Sequence, residues 1–65
     1  MAGTTPELMQ LGLEIVAANE PCKPGYLRKV LRQHGASVRA ANETLLFLIR
    51  DGHVRRTWNG KLKLP

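Results

Sequence analysis

From Ser37 to Leu64 the chain reads as a capped apolar helix, a glycine stop and a cationic hairpin turning at Asn59-Gly60. Val38, Ala41, Leu45 and Leu48 recur at i, i+3, i+7 and i+10, the stripe of one buried helix face. Ser37 is placed to cap the first amides, and Gly52 stands where a left-handed C-terminal residue is needed. The hairpin register follows from what each alternative buries. A two-residue Asn-Gly loop would put Leu62 and Leu64 on the face opposite Val54. A three-residue loop, Trp58-Asn59-Gly60 with Gly60 left-handed, instead pairs Arg56 with Leu62 and Val54 with Leu64. Val54, Leu62 and Leu64 then share the core face, and Arg55, Thr57, Lys61 and Lys63 the outer one. A one-residue slip would bury lysines, which is costly. The three-residue loop is the expectation.

Two helices are expected upstream. Thr5 is a cap, Pro6 takes the first helical position, where its missing N–H costs nothing, and Glu7 faces the positive end of the helix dipole. Leu8, Leu11, Ile15 and Ala18 form an apolar stripe that Met9, Leu13 and Val16 widen. Asn19-Glu20-Pro21 ends it, because proline disfavours helix in the residue before it. A loop through Pro21-Cys22-Lys23-Pro24-Gly25 leads to a second helix with Leu27, Val30 and Leu31 inward and Arg28, Lys29 and Arg32 outward. Its short Gly35-containing turn forces the next helix to cross it, as in a helix-turn-helix. The reading is a single domain over residues 1–65, mainly α with a small β-hairpin: helices near 6–19, 25–34 and 37–51, hairpin near 53–64.

Charge is distributed unevenly. Residues 1–22 carry Glu7, Glu14 and Glu20 and no lysine or arginine, a formal −3; residues 23–65 carry all ten bases against Glu43 and Asp51, a formal +8. The first helix should therefore stand away from a polyanion and the later elements toward one. Chains this short bury only about 60% of their unfolded surface, leaving little room for a substrate cavity beside a core. No Ser/His/Asp set, carboxylate pair or phosphate loop is present, and His34 and His53 have no adjacent nucleophile, so no enzyme and no catalytic residue are expected. Cys22 is the single cysteine, which excludes an internal disulfide and fits a reducing cytoplasm. With His34 and His53 it makes no recognised metal spacing, so neither metal nor cofactor is expected. No apolar run approaches ~18 residues, and the N-terminus has no basic segment ahead of an apolar core, so neither a membrane span nor a secretory signal is expected.

The segment Ser37-x-x-x-Ala41-x-x-x-Leu45-x-x-Leu48-x-x-x-Gly52-x-Val54, followed by a Gly-tipped basic hairpin, resembles the winged helix-turn-helix domains, and the likeness extends from Thr5 to Leu64. The resemblance implies a three-helix fold whose third helix enters the major groove of double-stranded DNA while the hairpin wing meets the backbone or minor groove. It further implies a small stand-alone transcriptional regulator, cytoplasmic and nucleoid-associated if bacterial. Winged helices also serve as protein-docking modules in larger assemblies, which is the alternative function; a homodimer is the related one.

On that reading, base contacts fall to the first turns of the third helix. Arg39 has the fork for guanine, Asn42 the amide for adenine, and small Ala40 lets the backbone approach or meets a thymine methyl. Glu43 either accepts from cytosine or pairs with Arg39 at i+4. Backbone contacts need only charge and reach: Arg28, Lys29 and Arg32 on the second helix, Arg55, Lys61 and Lys63 on the wing. Arg56 shares the core-side face and is expected to run along the sheet edge. Tyr26 either gives its hydroxyl to a phosphate or packs, packing being the expectation. At the wing tip (Trp58, Asn59, Gly60) the indole either stacks on a sugar or base or folds back over Arg56 as a cation–π lid, the latter being expected. Leu45-Leu46-Phe47-Leu48-Ile49 is apolar all round, which places Phe47 in the core and Leu46 at its edge; the alternative is that Leu46 or Phe47 belongs to a dimer interface.

Overall fold

A computed structural model describes residues 3–65. Helix α1 spans Pro6–Ala18, α2 Pro24–Gln33 and α3 Val38–Arg50; strands β1, Arg55–Arg56, and β2, Leu62–Lys63, form an antiparallel hairpin. Each helix packs on the other two, and β2 reaches α1. The molecule is thus mainly helical with one small sheet, and the helix bounds differ from expectation by a residue at most.

Local chemistry sets those bounds. The Thr5 hydroxyl accepts from the Leu8 amide at 3.2 Å and the Ser37 hydroxyl from the Ala40 amide at 3.0 Å, each satisfying a donor that the first helical turn leaves free. Both α2 and α3 end in the same way. Gly35 (φ +97°) and Gly52 (φ +79°) turn left-handed. Their N–H groups donate to Arg32 and Ile49, and the next amides, Ala36 and His53, reach back to Leu31 and Leu48. Asn19 closes α1 with its side-chain amide on the Ile15 carbonyl at 2.8 Å.

In the hairpin, Arg56 faces Leu62 and Arg55 faces Lys63, which is the three-residue-loop register. Gly60 has φ +82° and donates to the Thr57 carbonyl, while the Thr57 N–H donates to the Lys61 carbonyl at 2.7 Å. The expected Val54–Leu64 pair does not form. The Val54 amide instead donates to Leu48 at the end of α3, and the Leu64 amide to the Glu20 carboxylate at 2.6 Å. The segment expected to be loop around Cys22 supplies a third strand position. Cys22 and Leu62 exchange both backbone hydrogen bonds, at 2.8 and 2.7 Å, so Leu62 lies between Arg56 and Cys22.

The core gathers Ile15 and Val16 of α1, Leu27 and Leu31 of α2, Ala41, Leu45 and Leu48 of α3, and Cys22, Val54 and Leu62. Three expectations change. In α1, Ala18 is exposed and Gly12 is buried in the stripe instead. A Cβ at Gly12 would lie 2.8 Å from Leu48 Cδ1 and 3.3 Å from Thr44 Cγ2, so α1 approaches α3 where a side chain would not fit. In α3, Val38 is 53% exposed while Ala40 and Thr44 are buried. The buried face is therefore turned by roughly 50°, about half a residue's angular step, toward Ala40 and Thr44. A polar anchor accompanies this orientation. Thr44 gives its hydroxyl to the Ala40 carbonyl at 2.7 Å and is hydrogen-bonded to the Thr4 hydroxyl at 2.6 Å, so a fully buried polar side chain is satisfied. Finally, the apolar half of α3 is not enclosed all round. Leu46 stands 63% exposed and Phe47 is only half-buried, outside the core cluster.

Candidate nucleic-acid interface

The bases of α2 come together. Arg28, Lys29 and Arg32 line an open groove of about 520 Å³ with Gln33, Gly35 and Ala36. Positions i, i+1 and i+4 share one side of a helix, and the inward side is taken by the fully buried Leu27 and Leu31. Gly35 and Ala36 carry the groove to Ser37, so these cations border the N-terminus of α3.

On α3 the expected base-reading residues part company. Arg39 (side chain 76% exposed) and Asn42 face outward. Ala40 is 5% exposed, removed from the outer surface by the same rotation that buries Thr44, and Val38 stands out in its place. Glu43 is already engaged: one carboxylate oxygen receives Arg39 Nε at 3.3 Å and the other the Thr4 N–H at 3.3 Å. Of its two readings, the ion pair is the one formed. Leu46 and Arg50 continue the outer face toward the C-terminus.

The hairpin holds the second cluster. Arg55, Arg56 and Lys63 are exposed and share a groove of about 300 Å³ with Thr57 and Trp58, while Lys61 is half-buried at the turn. Arg56 thus belongs with the other wing cations. Its exposure was masked in the sequence by pairing with the fully buried Leu62. The turn is internally braced: the Thr57 hydroxyl donates to the Asn59 side-chain oxygen and accepts from the Lys61 amide at 3.1 Å. Trp58 is 97% exposed, so the expected lid over Arg56 does not form. Tyr26, expected to pack, is 44% exposed.

Electrostatically, Arg39–Glu43 is the one ion pair among the described residues, so none of the α2 and hairpin cations is in an ion pair. Glu20 lines a groove with Lys63 and Trp58, and its carboxylate accepts from the Leu64 amide. Burial raises the Cys22 thiol above its ordinary pKa, and a hydrogen bond from the Leu27 backbone opposes this in part, so the thiol is held as the unreactive protonated form. No group of three or more His, Cys, Asp or Glu residues that could hold a metal ion occurs among the described residues, and no helix there is long and apolar enough to cross a membrane.

Sequence reasoning missed the Thr4–Thr44 and Thr4–Glu43 contacts, which join segments far apart in the chain and leave no periodic trace. No protein-family model, curated protein or solved structure matches this chain.

Proposed function

We propose that this chain is a winged helix-turn-helix domain that binds double-stranded DNA as a small transcriptional regulator, with α3 in the major groove and the hairpin on the backbone. The reading is carried by one observation. The cations of α2 and of the hairpin bracket α3 in the chain, and among the described residues none of them is paired with an acid. A small domain that leaves such a concentration of charge unneutralised gains from a polyanion, because each phosphate contact releases condensed counterions. Three mutually packed helices followed by a Gly-tipped basic hairpin support the fold assignment. In these roles Arg39 and Asn42 read bases, and Arg28, Lys29, Arg32, Arg55, Arg56 and Lys63 hold phosphates. Lys61 joins them from the turn.

Exposed Leu46 and Val38 on the face of α3 that carries Arg39 favour a second reading, a docking module for a protein partner. Fluorescence anisotropy of the labelled protein against duplex DNA, single-stranded DNA and RNA separates the two. The DNA reading expects a preference for duplex and a log–log salt slope of about −4 to −6, at roughly −0.9 per phosphate contact. A flat salt response sinks it.

A further inference from the structure

We propose that Trp58 is a wedge residue: its indole enters the DNA groove reached by the wing and stacks on a base step that it partly unstacks, with Arg55 and Lys63 on neighbouring phosphates. This rests on the DNA-binding reading and assigns a contact within it. Four observations converge on the tip. First, the indole is 97% exposed, so it contributes almost nothing to the core and its large apolar face is fully hydrated. Second, the loop that carries it is closed, with Gly60 N–H on the Thr57 carbonyl and the Thr57 hydroxyl joined to both Asn59 and the Lys61 amide. The loop backbone is therefore ordered before contact, and the entropy still to be lost is that of the indole's own rotamers. Third, the ring stands on the ridge between two grooves. Arg55, Arg56 and Lys63 line one; Lys63 lines the other as well, with Pro21 and Asn59. Glu20, the acid on that second groove, is held by the Leu64 amide. Fourth, the tip is only Trp58, Asn59 and Gly60 wide, narrow enough to approach a minor groove about 6 Å across.

A flat apolar ring with Arg55, Arg56 and Lys63 on one groove and a single acid, Glu20, on the other is complementary to a ligand that presents a flat π-face beside negative charge. A base flanked by its phosphates is that ligand. A protein surface would need acidic side chains around an apolar pocket, and a lipid surface would need further apolar side chains at the tip. Each base face in a duplex is covered by its neighbours, so the contact carries the cost of partly unstacking one step; it reads no base edge and favours the flexible pyrimidine–purine steps that unstack most readily.

Trp58 is the sole tryptophan, so intrinsic fluorescence reports this contact alone. The expected result with this 65-residue chain is indole emission characteristic of full hydration when free, quenched and blue-shifted on titration with duplex DNA. Trp58→Ala should weaken binding by about 5-fold or more, the unstacking cost offsetting part of the roughly 150-fold that a stack on a free strand can reach, with Trp58→Phe intermediate. Because no charge is removed, the Trp58→Ala salt slope should match that of the parent protein. Duplex binding with unchanged indole emission and undiminished Trp58→Ala affinity would overturn the proposal while leaving DNA binding intact. Failure of the parent protein to bind duplex at low salt would remove the reading beneath it. An emission shift that depends on protein concentration without DNA would assign the indole to self-association instead.

Discussion

Cys22 and Leu62 exchange both of their backbone hydrogen bonds, N–H to O at 2.8 and 2.7 Å, and so tie the α1–α2 connection to the second strand of the hairpin. A two-stranded hairpin alone is marginal in water. Here its inner strand is held on both sides, and the Leu64 amide on Glu20 adds a second tie to the same connection. The direction of the wing is therefore set by the residues that follow α1, not by the hairpin itself.

Leu62 is the keystone of that arrangement, fully buried and paired with both Arg56 and Cys22. Leu62→Ala should destabilise by about 2–5 kcal/mol, a large share of what so small a domain possesses. Urea denaturation measures the loss. Hydrogen exchange at the Cys22 amide should accelerate in step.

Gly12 lies where α1 meets α3. Alanine would gain about 1 kcal/mol in helix propensity. Its methyl, however, would sit 2.8 Å from Leu48 Cδ1, an atom in a fully buried side chain with nowhere to go. Overpacking costs about 1–3 kcal/mol. Gly12→Ala should therefore lower stability by about 1 kcal/mol in a thermal melt, against the usual sign for such a change in a helix.

The Cys22 thiol should react with a thiol reagent only as fast as the domain opens. Its pH dependence has a definite sign. Burial raises the folded pKa, so the unfolded thiol, titrating at about 8.5, ionises first. The stabilisation is fully present below that pH and is lost as pH rises toward the folded value. The urea midpoint should fall above about pH 8.5, and Cys22→Ala should not show that component.

Leu46→Glu should leave stability within about 0.5 kcal/mol, because the side chain is exposed. Phe47→Ala, half-buried, should cost about 1–2 kcal/mol, less than the ~3–5 of a core phenylalanine. Sedimentation of Leu46→Glu tests the docking reading at the same time. A parent protein that self-associates and a folded variant that does not would place the interface at Leu46.

Reading and holding should separate. Arg39→Ala or Asn42→Ala should cost about 1–3 kcal/mol on a preferred duplex and blunt discrimination there. Lys63→Ala should weaken all duplexes about equally and reduce the salt slope by about one. Glu43→Gln can keep only one of the Thr4 and Arg39 hydrogen bonds, because the amide has one accepting oxygen where the carboxylate uses two, and it removes a negative charge from the reading face, so it should tighten binding to every duplex. Equal effects of Arg39→Ala and Lys63→Ala on every sequence would mean that α3 does not read bases.

Much of this was legible in the chain, and the legible parts have local causes. Thr5, Pro6, Ser37, Gly35 and Gly52 act within a few residues of themselves, so the helix ends could be placed nearly to the residue. The hairpin register was fixed by two constraints that agree, a left-handed Gly60 and the need to bury Leu62 with Val54. The clustering of cations on α2 was equally visible, since helical spacing alone brings Arg28, Lys29 and Arg32 to one side.

The tertiary structure decided the rest. Apolar spacing leaves the orientation of α3 open by about half a residue, because Val38, Ala40 and Ala41 are all compatible with a buried edge. Thr44 lies on the face that was buried, and its hydroxyl, which requires a partner there, finds it in Thr4 and the Ala40 carbonyl. That rotation withdrew Ala40 from the outer face, exposed Val38 and Leu46, and left Glu43 beside Thr4. Trp58 was undecided for the opposite reason. Nothing in the sequence tells an indole that packs from one that does not, and in the structure the indole stands in water on a turn braced by its own hydrogen bonds. Sequence determines what its own neighbours can satisfy. Contacts between distant segments are settled where the chain must pair every polar group it buries.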